Sequence, residues 1–264
     1  MEAQMIESPA LVLVDHPADG VARIRLNRPE ARNALNTALR AAIAEAVRSA
    51  DDNSGTRCLI LCSSGTAFAA GADLKEIVDL GPADVWRLGV PRFWKVISGF
   101  SKPLIAAVGG AAFGGGCELA LHADLILAAH GARFGQPEIK VGIMPGGGAT
   151  QRLIRAIGKY RAMKLMLTGE PVTAAEAFEM GMVSEVVADD ALDARALALA
   201  TQIASFPPLA VHMIKQVSLA GADASLDAGL LLERRAFELL FDTDDQKEGM
   251  KAFAQRRRPE FSGR

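Results

Sequence analysis

Short runs of apolar and β-branched residues recur along this chain, and nothing else constrains its fold as much. LVLVDHPADGVARIRLNRP reads as two strands joined by a turn at Ala18-Asp19-Gly20. RCLILCSSG reads as a strand entering a turn, LIAAVGGAAFGGG as a strand ending in glycines, and DLILAAHGARFG as strand-like. Such runs are continuous rather than alternating, the mark of strands covered on both faces. Between them, NALNTALRAAIAEAVRSADD places Leu35, Leu39, Ile43 and Val47 at helical period. Strand, helix, strand, helix is the order of an α/β protein with buried parallel strands. After about residue 150 the pattern turns helical, through TQRLIRAIGKYRAMKLMLTG, TAAEAFEMGMV and ALDARALALATQIASF. SLDAGLLLERRAFELLFDTDDQKEGMKAFAQRR reads as one or two terminal helices. No repeat with a clear sequence period is present. The expected layout is an α/β core over residues 1–200 and a helical C-terminal region over 201–264.

A chain of 264 residues has ample length for such a core. Its formal net charge of -2 gives no pull toward nucleic acid or an anionic membrane. The one concentrated basic run, QRRRPEF, is short. Three cysteines, Cys58, Cys62 and Cys117, are too few and too odd for a disulfide framework. Cys58 and Cys62 lie in the buried strand and read as structural thiols. No stretch is long and apolar enough to span a bilayer. The opening MEAQMIESPA lacks a basic n-region and an Arg-rich amphipathic pattern, so the expected compartment is the reducing cytoplasm.

Chemistry concentrates in residues 114–139, GGGCELALHADLILAAHGARFGQPEI. Gly114, Gly115 and Gly116 follow a strand and precede a helix. A helix N-terminus exposes unpaired N–H groups, and glycine there leaves them open to an oxygen that becomes negative during reaction. The other reading is a tight turn. SSGTAFAAGADLKEI, helical from about Asp73, offers a second N–H at Ala72 or a neighbour. Two such donors gripping one oxygen form an oxyanion hole, each worth on the order of 10²–10³ in rate. Glu118 stands in apolar company in the first turn of the helix, and Glu138 follows Gln136-Pro137 in a loop. Enclosed together, they push their pKa values apart, one suited as base and one as acid. Apart, Glu118 caps a helix and Glu138 is surface. Pro145 and three glycines lead into another helix at about Ala149, as a pocket wall or a turn.

Other chemistries lack their signatures. There is no dinucleotide fingerprint, phosphate loop or nucleophile elbow. His16, His122, His130 and His212 are scattered without metal-ligand spacing. The residues alone therefore leave a site without metal or redox cofactor, built from backbone donors and two carboxylates.

FAAGADLKE, PLIAAVGGAAFGGGCELALHADLILAA, ARFGQPEIKVGIMPGGGATQRLIRAIG, LTGEPVTAAEAFEMGMVSEVV and DDQKEGMKAFAQRRRPEF resemble the enoyl-CoA hydratase/isomerase (crotonase) family, from NRPEARNAL to the C-terminus. The resemblance implies a spiral of repeated ββα units with a C-terminal helical trimerisation region, and homotrimers or hexamers made of two trimers. It implies an acyl-CoA thioester as substrate and no cofactor, coenzyme A being part of the substrate. No nucleic acid or membrane partner is expected. By position, Ala72 and Gly115 match the family's oxyanion-hole donors. Hydratases of the family carry two glutamates, here Glu118 and Glu138, which implies syn addition of water to a trans-2-enoyl-CoA, a reaction of fatty-acid β-oxidation. Glu118 matches the base and Glu138 the proton donor, as a coupled pair. Arg32, Ala70, Asp73, Leu74, Lys75 and Gly114 match the substrate- and CoA-binding positions, with the RRR run at 256–258 as a looser candidate.

One departure stands out. The usual IPGAGGTQRL pattern is here MPGGGATQRL, a glycine–alanine exchange expected to alter pocket shape only slightly. Residues 81–100, with Trp86, Phe93 and Trp94, are expected to build the far wall of the acyl pocket or to pack their helix. Competing readings are a dehydroadipyl-CoA hydratase, an enoyl-CoA isomerase with one working glutamate, and an RNA-binding member of the fold. The two intact glutamates weigh against the isomerase, and the near-neutral charge against RNA.

Overall fold

The structure, a computed structural model, describes residues 10–264; the MEAQMIESP opening read for targeting lies outside them. The chain opens with a hairpin of strands β1 (Val12–Ala18) and β2 (Val21–Leu26), turning at Asp19-Gly20. Helix α1 (Thr37–Asp52) follows, its start fixed by the Asn36 side chain, which accepts from Leu39 N–H. Three units then repeat one plan. Strands β3 (Cys58–Ser63) and β4 (Ala67–Ala69) lead to helix α2 (Leu74–Ile77), and helices α3 (Pro82–Arg87) and α4 (Val90–Ser98) are inserted after it. Strands β5 (Leu104–Val108) and β6 (Ala111–Phe113) lead to helix α5 (Gly115–Leu121). Strands β7 (Leu125–Ala129) and β8 (Arg133–Gly135) lead to a 3-10 turn, Pro137–Val141. Helices α6 (Ala149–Ile157) and α7 (Lys159–Thr168), strand β9 (Val172–Thr173), helix α8 (Ala174–Glu179) and strand β10 (Glu185–Val187) complete the sheets.

In each unit the first strand enters one sheet and the second enters another. The large sheet runs β1-β2-β3-β5-β7-β10, parallel except for β1, and the small sheet runs β4-β6-β8-β9, parallel except for β9. This is the expected spiral of ββα units. The two-strand plan corrects the reading of single runs: LIAAVGGAAF breaks at Gly109-Gly110 and DLILAAHGARF at His130-Gly131, and the loop after RCLILC contains β4. Strands of three residues show no period from which to be recognised.

Burial follows the pleat. Leu59, Leu61, Ala106, Val108, Ile126 and Ala128 face one core, shared with α1 and the small sheet. Their alternates Cys58, Ile60, Cys62, Ile105, Leu127 and Ala129 face a second core beneath helix α9 (Leu192–Ala204). Both faces are covered, which explains the continuous apolar runs. The three cysteines are free and buried, and burial pushes the Cys58 and Cys62 thiols up to about 12 and about 11. Position 200 falls inside α9, whose Ala196, Ala200 and Ala204 belong to this core.

The C-terminal region is three helices, α10 (Pro208–Ala222), α11 (Leu226–Leu240) and α12 (Asp244–Gln255), with α10 and α11 packed as a hairpin. Lys215 anchors α10 to the core, donating to the Lys102 carbonyl at 2.7 Å and pairing with Asp124 at 2.8 Å. No single described helix is long and apolar enough to cross a membrane.

Candidate active site

The small sheet aligns three loops. In parallel register, Ala69 sits beside Ala112, and Phe113 beside Gly135. The residues that follow, Ala70–Ala72, Gly114–Gly116 and Gln136–Glu138, therefore leave the same end of the sheet as neighbours. The fold itself gathers segments spaced widely in sequence.

The first loop is held from outside. Leu35 N–H donates to the Gly71 carbonyl at 2.7 Å, and Ala70 N–H to the Arg32 carbonyl at 3.0 Å. Asn33, wholly buried, donates through its amide to the Ser64 and Ala67 carbonyls at 3.0 and 2.9 Å. Arg28 bonds the Ala34 carbonyl at 3.0 Å and pairs with Asp73 at 2.7 Å. That pairing holds the Asp73 carboxyl below its usual range, and the same carboxylate caps α2 at Lys75 N–H. Ala72 is left exposed and faces Gly115: a side chain on Gly115 would begin 3.7 Å from Ala72 N. Among the described residues, no group accepts from the N–H of Ala72 or Gly115.

The glycines have separate causes. Gly114 has φ 50° and ψ -124°, a backbone open to glycine alone, and donates its own N–H to the Gly135 carbonyl at 2.9 Å. Gly116 crosses β4 so closely that a Cβ would lie 2.1 Å from the Ala69 carbonyl oxygen. Of the three, only Gly115 is uncrowded, and its N–H has no acceptor among the described residues.

Glu118 is 3% exposed, and its Oε1 accepts from Gly147 N–H at 2.6 Å and Ala149 N–H at 3.0 Å, at the start of α6. Burial raises its pKa, while the N–H groups of residues 147–149 oppose the rise. Glu138 is half-buried on the 3-10 turn, and burial, reinforced by the Glu118 charge, raises its pKa to about 7. With its amide oriented to donate, the buried Gln136 reaches both Glu138 oxygens at 3.2 Å. His122 sits beneath Glu118, its Nδ1 2.8 Å from the Glu118 carbonyl oxygen, and burial lowers its pKa to about 4. It is therefore neutral at pH 7, with Nδ1–H donating. Trp94 of α4 stacks on it at 5.0 Å. Among the described residues no cluster of His, Cys, Asp and Glu is placed to hold a metal. Backbone donors for an oxyanion beside two carboxylates of differing environment form a constellation for proton transfer next to a carbonyl.

The enoyl-CoA hydratase/isomerase family pattern matches residues 17–264. The chain belongs to this family. It is 47% identical over 241 residues, 91% of this chain and 94% of the relative, to the "Probable enoyl-CoA hydratase echA8" of Mycobacterium tuberculosis. It is 45% identical, over 91% of this chain and 94% of the relative, to the 2,3-dehydroadipyl-CoA hydratase of Escherichia coli K12. Among solved structures, the enoyl-CoA hydratase of Bacillus anthracis is 36% identical, with a TM-score of 0.93 over 97% of this chain and 100% of that one. An acyl-CoA thioester substrate is consistent with the enoyl-CoA hydratase/isomerase family.

Of the residues singled out in sequence, Ala72, Gly114, Gly115, Glu118 and Glu138 converge. Arg32, Leu74 and Lys75 are exposed and Ala70 half-buried. Within the RRR run, Arg257 pairs with Glu248 inside the C-terminal region and Arg256 caps α12. Arg28, Asn33, Gln136, His122 and the N–H groups at 147 and 149 were not singled out. The partners of Arg28, Asn33 and the N–H groups at 147 and 149 are distant in sequence, while His122 and Gln136 bond residues four and two positions away, at spacings that mark no site.

Proposed function

We propose that this enzyme is an enoyl-CoA hydratase, adding water to a trans-2-enoyl-CoA to give a 3-hydroxyacyl-CoA through two glutamates and a backbone oxyanion hole. The single observation that carries the mechanism is the placement of Glu118 and Glu138 beside the facing, unpaired N–H groups of Ala72 and Gly115. The thioester oxygen takes both N–H bonds, which draws electrons from the double bond and makes C3 electrophilic. Glu118 accepts a proton from water as its oxygen bonds to C3. Its two backbone donors favour the charged form a base needs. The enolate collapses as Glu138 gives its proton to C2. Passage of a proton from Glu118 to Glu138 resets the pair. The thioester is its own electron sink, so the chemistry calls for no cofactor.

Arg32 and Lys75 supply exposed positive charge for the phosphates of coenzyme A, and Ala70 and Leu74 line its path. Asp73 contributes through backbone, since its carboxylate is committed to Arg28. Gly114 contributes by lacking a side chain, its N–H being committed to Gly135. The chain assembles as a trimer or a dimer of trimers: Leu226, Leu230, Leu231 and Phe237 of α11 stand 76%, 50%, 59% and 52% exposed, a face that a monomer would leave wet. Light scattering reads that assembly directly. Three unpaired thiols suit a cytoplasmic setting, and β-oxidation is the reaction sequence that fits.

The test is loss of enoyl-thioester absorbance with crotonyl-CoA, for wild type, Glu118→Gln and Glu138→Gln. Each variant is expected to lose at least ~10²-fold in kcat. Variants as fast as wild type would refute the two-carboxylate mechanism. Preference for 2,3-dehydroadipyl-CoA over crotonyl-CoA in the same assay would assign the dicarboxylic substrate suggested by the Escherichia coli relative.

A further inference from the structure

Two features left unabsorbed by the family resemblance meet at one atom. The first is Gly147 of the MPGGGATQRL stretch, where the resemblance leads one to expect alanine. The second is Trp94, from the inserted helix α4. A Cβ on Gly147 would lie 2.5 Å from Glu118 Oε2 and 2.5 Å from both Cε2 and Cζ2 of Trp94. The indole and Oε2 thus lie no more than about 5 Å apart, across a space that only a missing side chain leaves open. Glu118 Oε1 is occupied by two N–H donors, whereas Oε2 has no protein donor among the described residues. Oε2 is the oxygen left to hold water. Behind it, the indole is fixed by stacking on His122 at 15° and by contact with Phe93, 6% exposed. Trp86, on the preceding helix, is 82% exposed and takes no part.

We infer that Gly147 and Trp94 act as a pair: the missing side chain at 147 seats the indole against Glu118 Oε2, and Trp94 is a positioning residue that confines the attacking water there and excludes other solvent. This rests on the hydratase reading. The titratable groups around Glu118 are Glu138 on the 3-10 turn, Cys117 on its own helix, His122 at that helix's C-cap, and Arg152 on α6, whose charge acts on His122. Trp94 adds no charge, so its effect on Glu118 is through hydration.

The experiment uses the full-length Trp86→Phe protein, in which Trp94 is the single tryptophan, and adds Gly147→Ala, Trp94→Phe or Trp94→Ala. Gly147→Ala is expected to shift the tryptophan emission to the red and lower kcat for crotonyl-CoA roughly 10- to 100-fold, with KM little changed. Better hydration of Glu118 stabilises its anion, so the acidic limb of the kcat profile moves to lower pH. Trp94→Phe keeps most of the activity, and Trp94→Ala, which leaves no tryptophan to report, matches Gly147→Ala in its loss of kcat and its shifted acidic limb. Saturating the Trp86→Phe protein with unreactive butyryl-CoA shifts its emission. That readout serves even if Trp94→Ala does not fold. Unmoved emission in Gly147→Ala, or lost kcat with an unmoved acidic limb, overturns the pairing. If the parent protein hydrates no enoyl-CoA, both this inference and the hydratase reading fail. Parent turnover with variants that behave like it sinks the pairing alone.

Discussion

Glu138 Oε1 occupies the space into which a side chain on Gly114 would grow, 2.7 Å from the first carbon of such a side chain. One residue thus gives the chain a positive φ and gives a carboxylate its seat. Gly114→Ala is expected to displace Glu138 and strain the turn, at ~1–3 kcal/mol of stability and at least ~10²-fold in kcat. Thermal unfolding and crotonyl-CoA turnover measure the two separately. Unchanged turnover would show that Glu138 does not work from this seat.

Gly115→Ala and Gly116→Ala are expected to part company. At Gly116 the new methyl meets a carbonyl oxygen at 2.1 Å, and the fold is lost or weakened by about 3 kcal/mol. At Gly115 the nearest atom is Leu35 Cδ1 at 3.4 Å, so the protein folds while the methyl obstructs the oxyanion hole. A loss of ~10²–10³ in kcat with little change in Tm is the expected outcome. Equal damage to stability in both variants would contradict it.

Glu138 couples stability to pH. Its folded pKa, about 7, lies above the ordinary 4.5, so the fold prefers the protonated form. Stability is therefore lost as pH rises from 4.5 through about 7. Glu138→Gln removes this dependence and gains about 1 kcal/mol above pH 7, a figure discounted for partial exposure. Denaturant midpoints at pH 5 and pH 8 check the sign. Greater stabilisation at pH 5 would reverse it.

His122 works in the opposite window. Burial lowers its pKa from 6.5 to about 4, so the folded state resists protonation. Stability falls as pH drops through 6.5 toward 4, by up to ~3 kcal/mol. His122→Asn keeps a donor for the Glu118 carbonyl and is expected to flatten this loss. NMR titration of the ring gives the pKa directly, and a value above 6.5 would refute the assignment.

Asp245, 2% exposed, accepts from Ser262 N–H at 2.6 Å and Gly263 N–H at 2.9 Å, pinning the chain end to α12. Asp245→Ala leaves those donors unmet and is expected to cost ~2–3 kcal/mol and expose the tail to protease. Limited proteolysis read by mass spectrometry would show cleavage near residue 260 only in the variant.

Much of this molecule is written locally. The hairpin turn at Asp19-Gly20, the helix start at Asp73 and the helix beginning at Ala149 depend on residues within a few positions of one another, and these were legible. So was the buried character of RCLILC, since a strand covered on both faces needs apolar residues at every position. The glycines and glutamates could be singled out by residue type. Their convergence was not legible from spacing, and there the family resemblance supplied the expectation.

Tertiary structure decided the rest. Strands β4, β6 and β8 have three residues each, too few for a period, and exist because they pair with one another. That pairing brings the ends of three distant loops to one place. Glu118 finds its N–H donors 29 and 31 residues onward, and the space beside Gly147 is bounded by Trp94, from a helix before it. Sequence by itself determined which groups could carry charge, bend or donate, because these are properties of single residues and short windows. Which of them meet, at what distance and in how little water, follows from packing among remote segments, and only the folded chain states it.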